Sequence, residues 1–346
     1  MTLVNYVFRS AKWLNRKQKT TALKESYGMD GPLISIIIPT YKRVRFLEAA
    51  LSSVEEARIA AGLLPFQIEV VVVDDGHDQS TQQLCQTRKD QWPISLRYQR
   101  SAKGPKAGPA SCRNQGIRDA RGELIFLLDD DDTYLTNRFK ASIGLLTEGG
   151  YDVVFEPSLR VFVNEPKRPS FITGPEGQHD NAFRYLITGD KRSYITPGAS
   201  AFRKAIFDLA GGYDETLKYG EDGEFLLRLC LLSRVALVSG EPVVRIAIHE
   251  DNSSRPDRLH FWHNVKSMSA LYQKMLSGPW PEETAFVKSA LSGKFDFILS
   301  ECRRTTPSYA ARIVEGAKVL ISFDWRCTSL NNLKSVAVWL FRRRSA

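Results

Sequence analysis

Residues 33–38 (Leu-Ile-Ser-Ile-Ile-Ile) and 68–73 (Ile-Glu-Val-Val-Val-Val) are almost unbroken apolar runs. Runs this short and this β-branched predict strands buried on both faces, as in a parallel sheet. The first ends at Pro39-Thr40-Tyr41 and the second at Asp74-Asp75-Gly76. Residues 94–99 predict a third, shorter strand. Residues 123–128 predict a fourth, which runs directly into Asp129-Asp130-Asp131-Asp132. Helical periodicity fills 45–61, 78–89 and 111–120, and residues 101–111, rich in Gly, Pro, Lys and Ser, form a loop. Strands alternating with helices predict an α/β fold with a mostly parallel, Rossmann-like central sheet. Ligands of such sheets bind beyond the carboxyl ends of the strands. Thr40-Tyr41, Asp74-Asp75 and the aspartate run all stand at such ends.

The pattern is less regular after Tyr151. Strands are expected at 152–155, 159–163 and 242–248, the last ending at His249, and helices at 201–210 and 221–232. Residues 164–180 read as a polar loop. From 257 onward the chain reads as mainly helical, with Trp262, Trp280, Trp325 and Trp339 scattered through it. Three parts follow: 1–30, 31–255 and a helical C-terminal region, 256–346. Within the first, Leu3, Val4, Val7, Ala11 and Leu14 share one helical face, and Arg9, Lys12, Arg16 and Lys19 the opposite one. Such a helix either lies in a membrane interface or docks its apolar face on the body.

Charge sharpens this division. The net charge is +9, yet residues 1–24 alone carry six basic groups and no acid. Residues 303–346 carry nine basic groups against Glu315 and Asp324, so the middle of the chain is mildly acidic. A nucleic-acid-binding domain spreads its cations over a folded face; basic ends suit an anionic membrane surface instead. No stretch reaches the ~18 apolar residues of a membrane span. Five widely spaced cysteines with no CxxC pair argue against a disulfide framework or a zinc-thiolate site. The expected location is the cytoplasm, with peripheral attachment at the inner face of the plasma membrane.

Four consecutive aspartates after a buried strand repel one another unless a cation sits among them. Oxygen ligands suit Mg²⁺ or Mn²⁺, which leave coordination positions for phosphate oxygens. The plainer alternative is that Asp132 or Thr133 caps a following helix. Asp75 can accept from a nucleobase or a ribose hydroxyl, or Asp-Gly can simply make a tight turn. Glu221-Asp222 opens a predicted helix, where backbone dipoles favour an ionised carboxylate. That suits a general base for a hydroxyl, or ordinary capping.

Six segments in order resemble the family 2 glycosyltransferases, inverting enzymes of the GT-A fold. They are Ile36-Ile37-Ile38-Pro39-Thr40-Tyr41-Lys42-Arg43, Val72-Val73-Asp74-Asp75-Gly76, and Gly108-Pro109-Ala110-Ser111-Cys112-Arg113-Asn114-Gln115-Gly116-Ile117. Ala120-Arg121-Gly122-Glu123 leading to the aspartate run, Gly211-Gly212-Tyr213-Asp214-Glu215 and Glu221-Asp222 complete them. Residues 245–249 with Ser253 resemble the family's late arginine-histidine-serine segment. The resemblance implies that Asp129–Asp131 is the family's DXD motif. Asp131 would then ligate Mn²⁺ or Mg²⁺, and Asp129 or Asp130 would reach the ribose or the metal-bound water. Pro39, Thr40, Tyr41 and Asp75 would hold the nucleobase, with Tyr41 stacking on it and Arg43 and Lys103 nearby. Asp222 would be the catalytic base, Glu221 its runner-up, and His249 would approach the metal or diphosphate.

The implied reaction moves a sugar from a nucleotide-diphosphate sugar, UDP-linked by preference, to a hydroxyl of a glycan or lipid-linked acceptor. Two departures fall near the base pocket: Lys42 where the family often has Asn, and His77 where Ser or Thr is usual. A nucleotidyltransferase is the rival enzyme class. It needs a glycine-rich loop after the first strand, and Pro39–Arg43 contains no glycine. A non-catalytic nucleotide-sugar binding module is the third reading.

Overall fold

A computed structural model describes residues 33–177, 181–188, 194–217, 220–249, 270–276 and 278–290. The basic segment expected over 1–30, Ser253, and most of 256–346, including Trp262, Trp325 and Trp339, lie outside the described residues.

The two apolar runs are β1 (Ile34–Thr40) and β2 (Ile68–Asp74), buried along their whole length. They pair in parallel, and β3 (Ser95–Arg100) and β4 (Leu124–Leu127) extend the sheet on either side. The connecting helices are α1 (Val44–Ala60), α2 (Gln79–Gln91) and α3 (Pro109–Asp119). Successive side chains of a strand point to opposite faces. Ile36, Ile38, Val70 and Val72 therefore pack with Leu47, Leu51 and Val54 of α1. Ile37, Val71 and Val73 pack on the other face with Cys112 and Ile117 of α3. Gly116 permits this close approach, since a Cβ there would fall 2.5 Å from Ile37 Cγ2.

The two polar residues inside these strands are partners. Ser35 and Glu69 stand opposite each other in the ladder, and the Ser35 hydroxyl donates to Glu69 Oε1 at 2.7 Å. The Arg121 amide donates to the same oxygen and the Gly122 amide to Ser35 Oγ, so no buried oxygen there is left unpaired.

Beyond β4 come β5 (Thr133–Tyr134), α4 (Ser142–Thr147), β6 (Val153–Phe155), β7 (Ser158–Phe162), β8 (Phe171–Thr173), α5 (Ala182–Thr188), β9 (Ser200–Arg203), α6 (Lys204–Ala210), α7 (Glu221–Leu232), β10 (Val235–Leu237) and β11 (Val244–Ile248). The main sheet has seven strands in the order β10-β6-β9-β4-β1-β2-β3. A smaller sheet, β5-β11-β7-β8, stands beside it.

Three expectations are corrected. Residues 200–203 form a strand and not the start of a helix. Ser200, Ala201 and Phe202 are fully buried, and β9 runs antiparallel between β4 and β6. The loop expected over 164–180 contains β8, which pairs antiparallel with β7. Thr133 starts no helix: it lies in β5, and Asp132 Oδ1 accepts the Ala247 amide of β11 at 3.1 Å. The described residues of the C-terminal region are helical over 270–276 and 281–290. Leu271, Tyr272, Met275 and Val287 there cluster with Leu227 of α7 and Phe183 of α5.

Candidate active site

The parallel register places Thr40 opposite Asp74 and Ile37 opposite Leu127, so β1, β2 and β4 end along one edge. The chain leaving β1 turns through Lys42, whose φ is 54°, and aims the Arg43 side chain back over the aspartate run. Arg43 Nη1 donates to Asp131 Oδ2 at 2.5 Å, and Nη2 lies 2.7 Å from Asp130 Oδ1. The second contact is ionic and off the hydrogen-bond line, since Asp130 Oδ1 has no hydrogen-bond partner. Asp130 Oδ2 accepts from the Thr40 hydroxyl at 2.7 Å. Burial pushes the Asp130 carboxyl up to about 7 even though Arg43 opposes it. Burial by itself would lower the Arg43 pKa, but Asp130, Asp131 and Asp129 outweigh it and raise it.

A second arginine handles the other end of the run. Arg113, one turn into α3, is 3% exposed. Its Nη2 donates to Asp129 Oδ1 at 2.6 Å and its Nη1 to Asp222 Oδ1 at 2.7 Å. The same Nη1 lies 3.4 Å from Glu221 Oε1. The guanidinium also sits over the Tyr213 ring, 5.6 Å from its centroid. Burial drives the Asp222 pKa well above the ordinary carboxylate range; Arg113 opposes this, while Glu221 and Asp129 add to it. The carboxylates of Glu221, Asp222 and Glu224 occupy the first turn of α7, where backbone N–H groups favour negative charge.

Asn114, next to Arg113, explains why two distant motifs belong together. Its amide donates to the Tyr213 carbonyl and to Glu215 Oε1, both at 2.9 Å, and its Oδ1 accepts the Tyr213 amide at 2.7 Å. Gly212, with φ of 79°, leaves room for this contact, since a Cβ there would meet Asn114 Oδ1 at 2.7 Å. The loop that feeds α7 is thereby fastened to α3.

Asp129, Asp130, Asp131, Glu221, Asp222, Thr40, Arg43 and His249 therefore meet at one edge of the sheet. His249 Nε2 lies 3.2 Å from Asp131 Oδ2, and its ring stacks on Phe46 at 4.9 Å. Tyr41 is 36% exposed, with the Lys42 ammonium 5.7 Å from its ring centroid. Pro39 is buried within β1 opposite Val73. The Asp75 carboxylate accepts the backbone amides of Ala107 at 2.7 Å and Gly108 at 3.0 Å, so it shapes the loop before α3. Lys103 stands apart, exposed and paired with Glu215 at 2.5 Å.

The Asp131 carboxylate is an oxygen donor of the kind Mn²⁺ and Mg²⁺ accept, and His249 Nε2 lies 3.2 Å from it. Among the described residues no three His, Cys, Asp or Glu side chains form a complete cage. An ion that also binds phosphate oxygens needs only one or two protein ligands. Arg43 already bonds the same Asp131 oxygen, so an ion there must share or replace that bond.

Arg113 lies within the segment 108–117, and no local pattern in the sequence marks it for a role. Its signal is indirect, a basic residue in a helix whose start abuts a glycine-rich loop.

Comparison with known proteins gives a consistent picture. The family profile described as Glycosyl transferase family 2 matches residues 35–209. The minor teichoic acid biosynthesis protein GgaA of Bacillus subtilis (strain 168) is 26% identical over 252 residues, covering 69% of this chain and 52% of its own length. The chain thus spans about half the length of that relative. S. aureus TarS 1-349, solved in complex with UDP-GlcNAc, superposes with a TM-score of 0.60 at 19% identity, covering 85% of this chain and 82% of that one. The mannosyltransferase PcManGT of Pyrobaculum calidifontis, solved with GDP-Man and Mn²⁺, gives 0.53 at 14% identity, with 98% and 95% covered. Both structural likenesses are of fold.

Proposed function

The chain belongs to glycosyl transferase family 2, and on that premise we propose that it transfers a sugar, with inversion, from a nucleotide-diphosphate sugar to a hydroxyl acceptor. The observation that carries the reading is the bridge through Arg113. It sets Asp222, a carboxylate suited to take a proton, beside the aspartate run suited to hold a diphosphate through a divalent ion.

Asp131 and His249 would hold Mn²⁺ or Mg²⁺. When bound, such an ion supplies charge neutralisation for the leaving nucleoside diphosphate. Tyr41, exposed beside Asp75 and Thr40, offers a ring face for the nucleobase, and Arg43 a guanidinium for the phosphates once it leaves Asp131. Asp222 takes the proton from the acceptor hydroxyl. The freed oxygen attacks the anomeric carbon as the bond to the diphosphate oxygen breaks, and the configuration inverts in that single displacement. The raised pKa of Asp222 suits this task, since a more basic carboxylate accepts a proton more readily.

UDP is the favoured nucleotide, supported by the UDP-GlcNAc complex of TarS. A surface-glycan acceptor is supported by the teichoic acid role of GgaA, and a lipid-linked one by the PP-undecaprenol acceptor named for a Campylobacter jejuni relative, 29% identical over 119 residues. No helix among the described residues is long and apolar enough to cross a membrane; contact with a membrane surface is assigned to the basic ends.

The test is release of nucleoside diphosphate from UDP-, GDP- and dTDP-linked sugars in the presence of Mn²⁺. Release of pyrophosphate would favour the nucleotidyltransferase instead. Binding of a nucleoside diphosphate with no turnover of any donor would favour the non-catalytic binding module.

A further inference from the structure

We propose that Arg113 is a positioning residue that fixes the general base Asp222 relative to the donor-binding aspartates; this rests on the functional reading above. The geometry is specific. Asp129 lies just after β4, and Asp222 lies in the first turn of α7, with β5 to β9 between them in the sequence. A single buried guanidinium reaches both, at 2.6 Å and 2.7 Å. It holds Asp222 by Oδ1, which leaves Oδ2 for the incoming hydroxyl.

Three features make this more than a structural ion pair. The guanidinium fork is planar, so its two terminal nitrogens set both a distance and a direction between the carboxylates. Arg113 is itself braced by the Tyr213 ring, and the loop carrying Tyr213 is fastened to the neighbouring Asn114. Its Nε makes no hydrogen bond, so the side chain's directional contacts are all spent on the carboxylates at its tip. The 2.7 Å contact to Asp222, against 3.4 Å to Glu221, also selects between the two candidate bases.

Lysine retains the charge but has no fork to span the two carboxylates. The experiment compares wild type, R113K, D222N and the double variant, each as the full chain. Turnover is read as nucleoside diphosphate released from UDP-, GDP- and dTDP-linked sugars with Mn²⁺, water serving as acceptor. Affinity for UDP with Mn²⁺ is read by calorimetry. R113K should lose about 100-fold in turnover, the order of effect a 1 Å misplacement produces. Its UDP affinity should fall by far less than its turnover, because only the Asp129 end of the bridge touches the donor site while the Asp222 end acts on the base. In the D222N background R113K should cost no more than about twofold, because groups that act as a unit are not additive.

R113Q, which keeps a donor but not the fork, passes through the same cycle as a second variant should R113K lose its cooperative melting transition. An active wild type whose R113K and D222N losses multiply overturns this proposal and leaves the glycosyltransferase reading standing. So does an R113K enzyme with wild-type turnover. A wild-type chain that releases no nucleoside diphosphate from any of these donors overturns both.

Discussion

Arg138 offers the sharpest test of the energetics that hold the site's supporting strands. Its side chain is fully buried between the two sheets. Nη1 donates to Glu156 Oε2 at 2.6 Å and Nη2 to the Ser200 carbonyl at 2.7 Å, with Phe126 and Tyr134 rings 4.5 Å and 5.2 Å from the guanidinium. Arg138→Met keeps most of the stem volume and removes every donor. Glu156 is left with the Ser142 hydroxyl, and Ser200 loses its partner. Removing one member of a buried pair costs about 3–5 kcal/mol, and losing a desolvated cation–π contact adds about 2 kcal/mol more.

Proton uptake caps that sum. Burial already raises the Glu156 pKa above its ordinary 4.5, with Arg138 opposing. Without Arg138 it rises further, so the folded state binds a proton more tightly than the unfolded one. The variant therefore gains stability relative to wild type as pH falls toward 4.5, and its deficit is greatest at alkaline pH. We expect a loss of about 4 kcal/mol near pH 8, shrinking toward pH 5. Urea unfolding followed by tryptophan fluorescence measures it. The double variant R138M/E156Q should recover at least half of the loss, since no uncompensated charge remains. A single variant within about 1 kcal/mol of wild type, or a double less stable than the single, refutes the reasoning.

Three further outcomes follow. Asp131→Ala should abolish nucleoside diphosphate release while leaving the melting transition in place, and chelation of divalent ions should have the same effect on the wild type. Cys85 and Cys112 are buried, and that burial, reinforced by Asp74 and Asp75 respectively, pushes each thiol up to about 12. Peptide mapping after iodoacetamide at mildly alkaline pH should find both unlabelled until the chain is unfolded, because the thiolate is the reactive form. Asp214, where burial alone would raise the pKa, is instead held at about 2 by Lys274 and Thr216. The stability it contributes is present above its unfolded value of 3.8 and is lost as pH falls through about 2. K274Q should move its carboxyl resonance titration upward, read by carbon NMR.

The central strands were legible because burial on both faces writes itself into composition. Nothing but apolar side chains fits most positions of β1 and β2, and Asp74-Asp75 stands out at the end of β2. Helix α7 begins at Glu221 as expected, where acidic residues meet a period of 3.6. Residues 200–203 were misread because strand direction and sheet order leave no mark on periodicity. A short buried run followed by a short helix reads as one helix. The arginines were harder still. A cation among the aspartates was anticipated as a metal, yet Arg43 and Arg113 already stand there, drawn from positions 88 and 109 residues away from Asp131 and Asp222. Pairings at such separation depend on the completed topology.

The insertion of β9 between β4 and β6 has a consequence for synthesis on the ribosome. Residues up to 127 complete β3-β2-β1-β4 through local crossovers, but the open flank of β4 has no neighbour until Ser200–Arg203 emerges. At about 5–20 residues per second, the aspartate run waits roughly 5–20 s for Asp222 to be made. During that interval an apolar strand edge faces solvent, where unpaired edges invite aggregation. Nascent chains halted before residue 200 should therefore need chaperone protection, whereas chains extended past α7 should not.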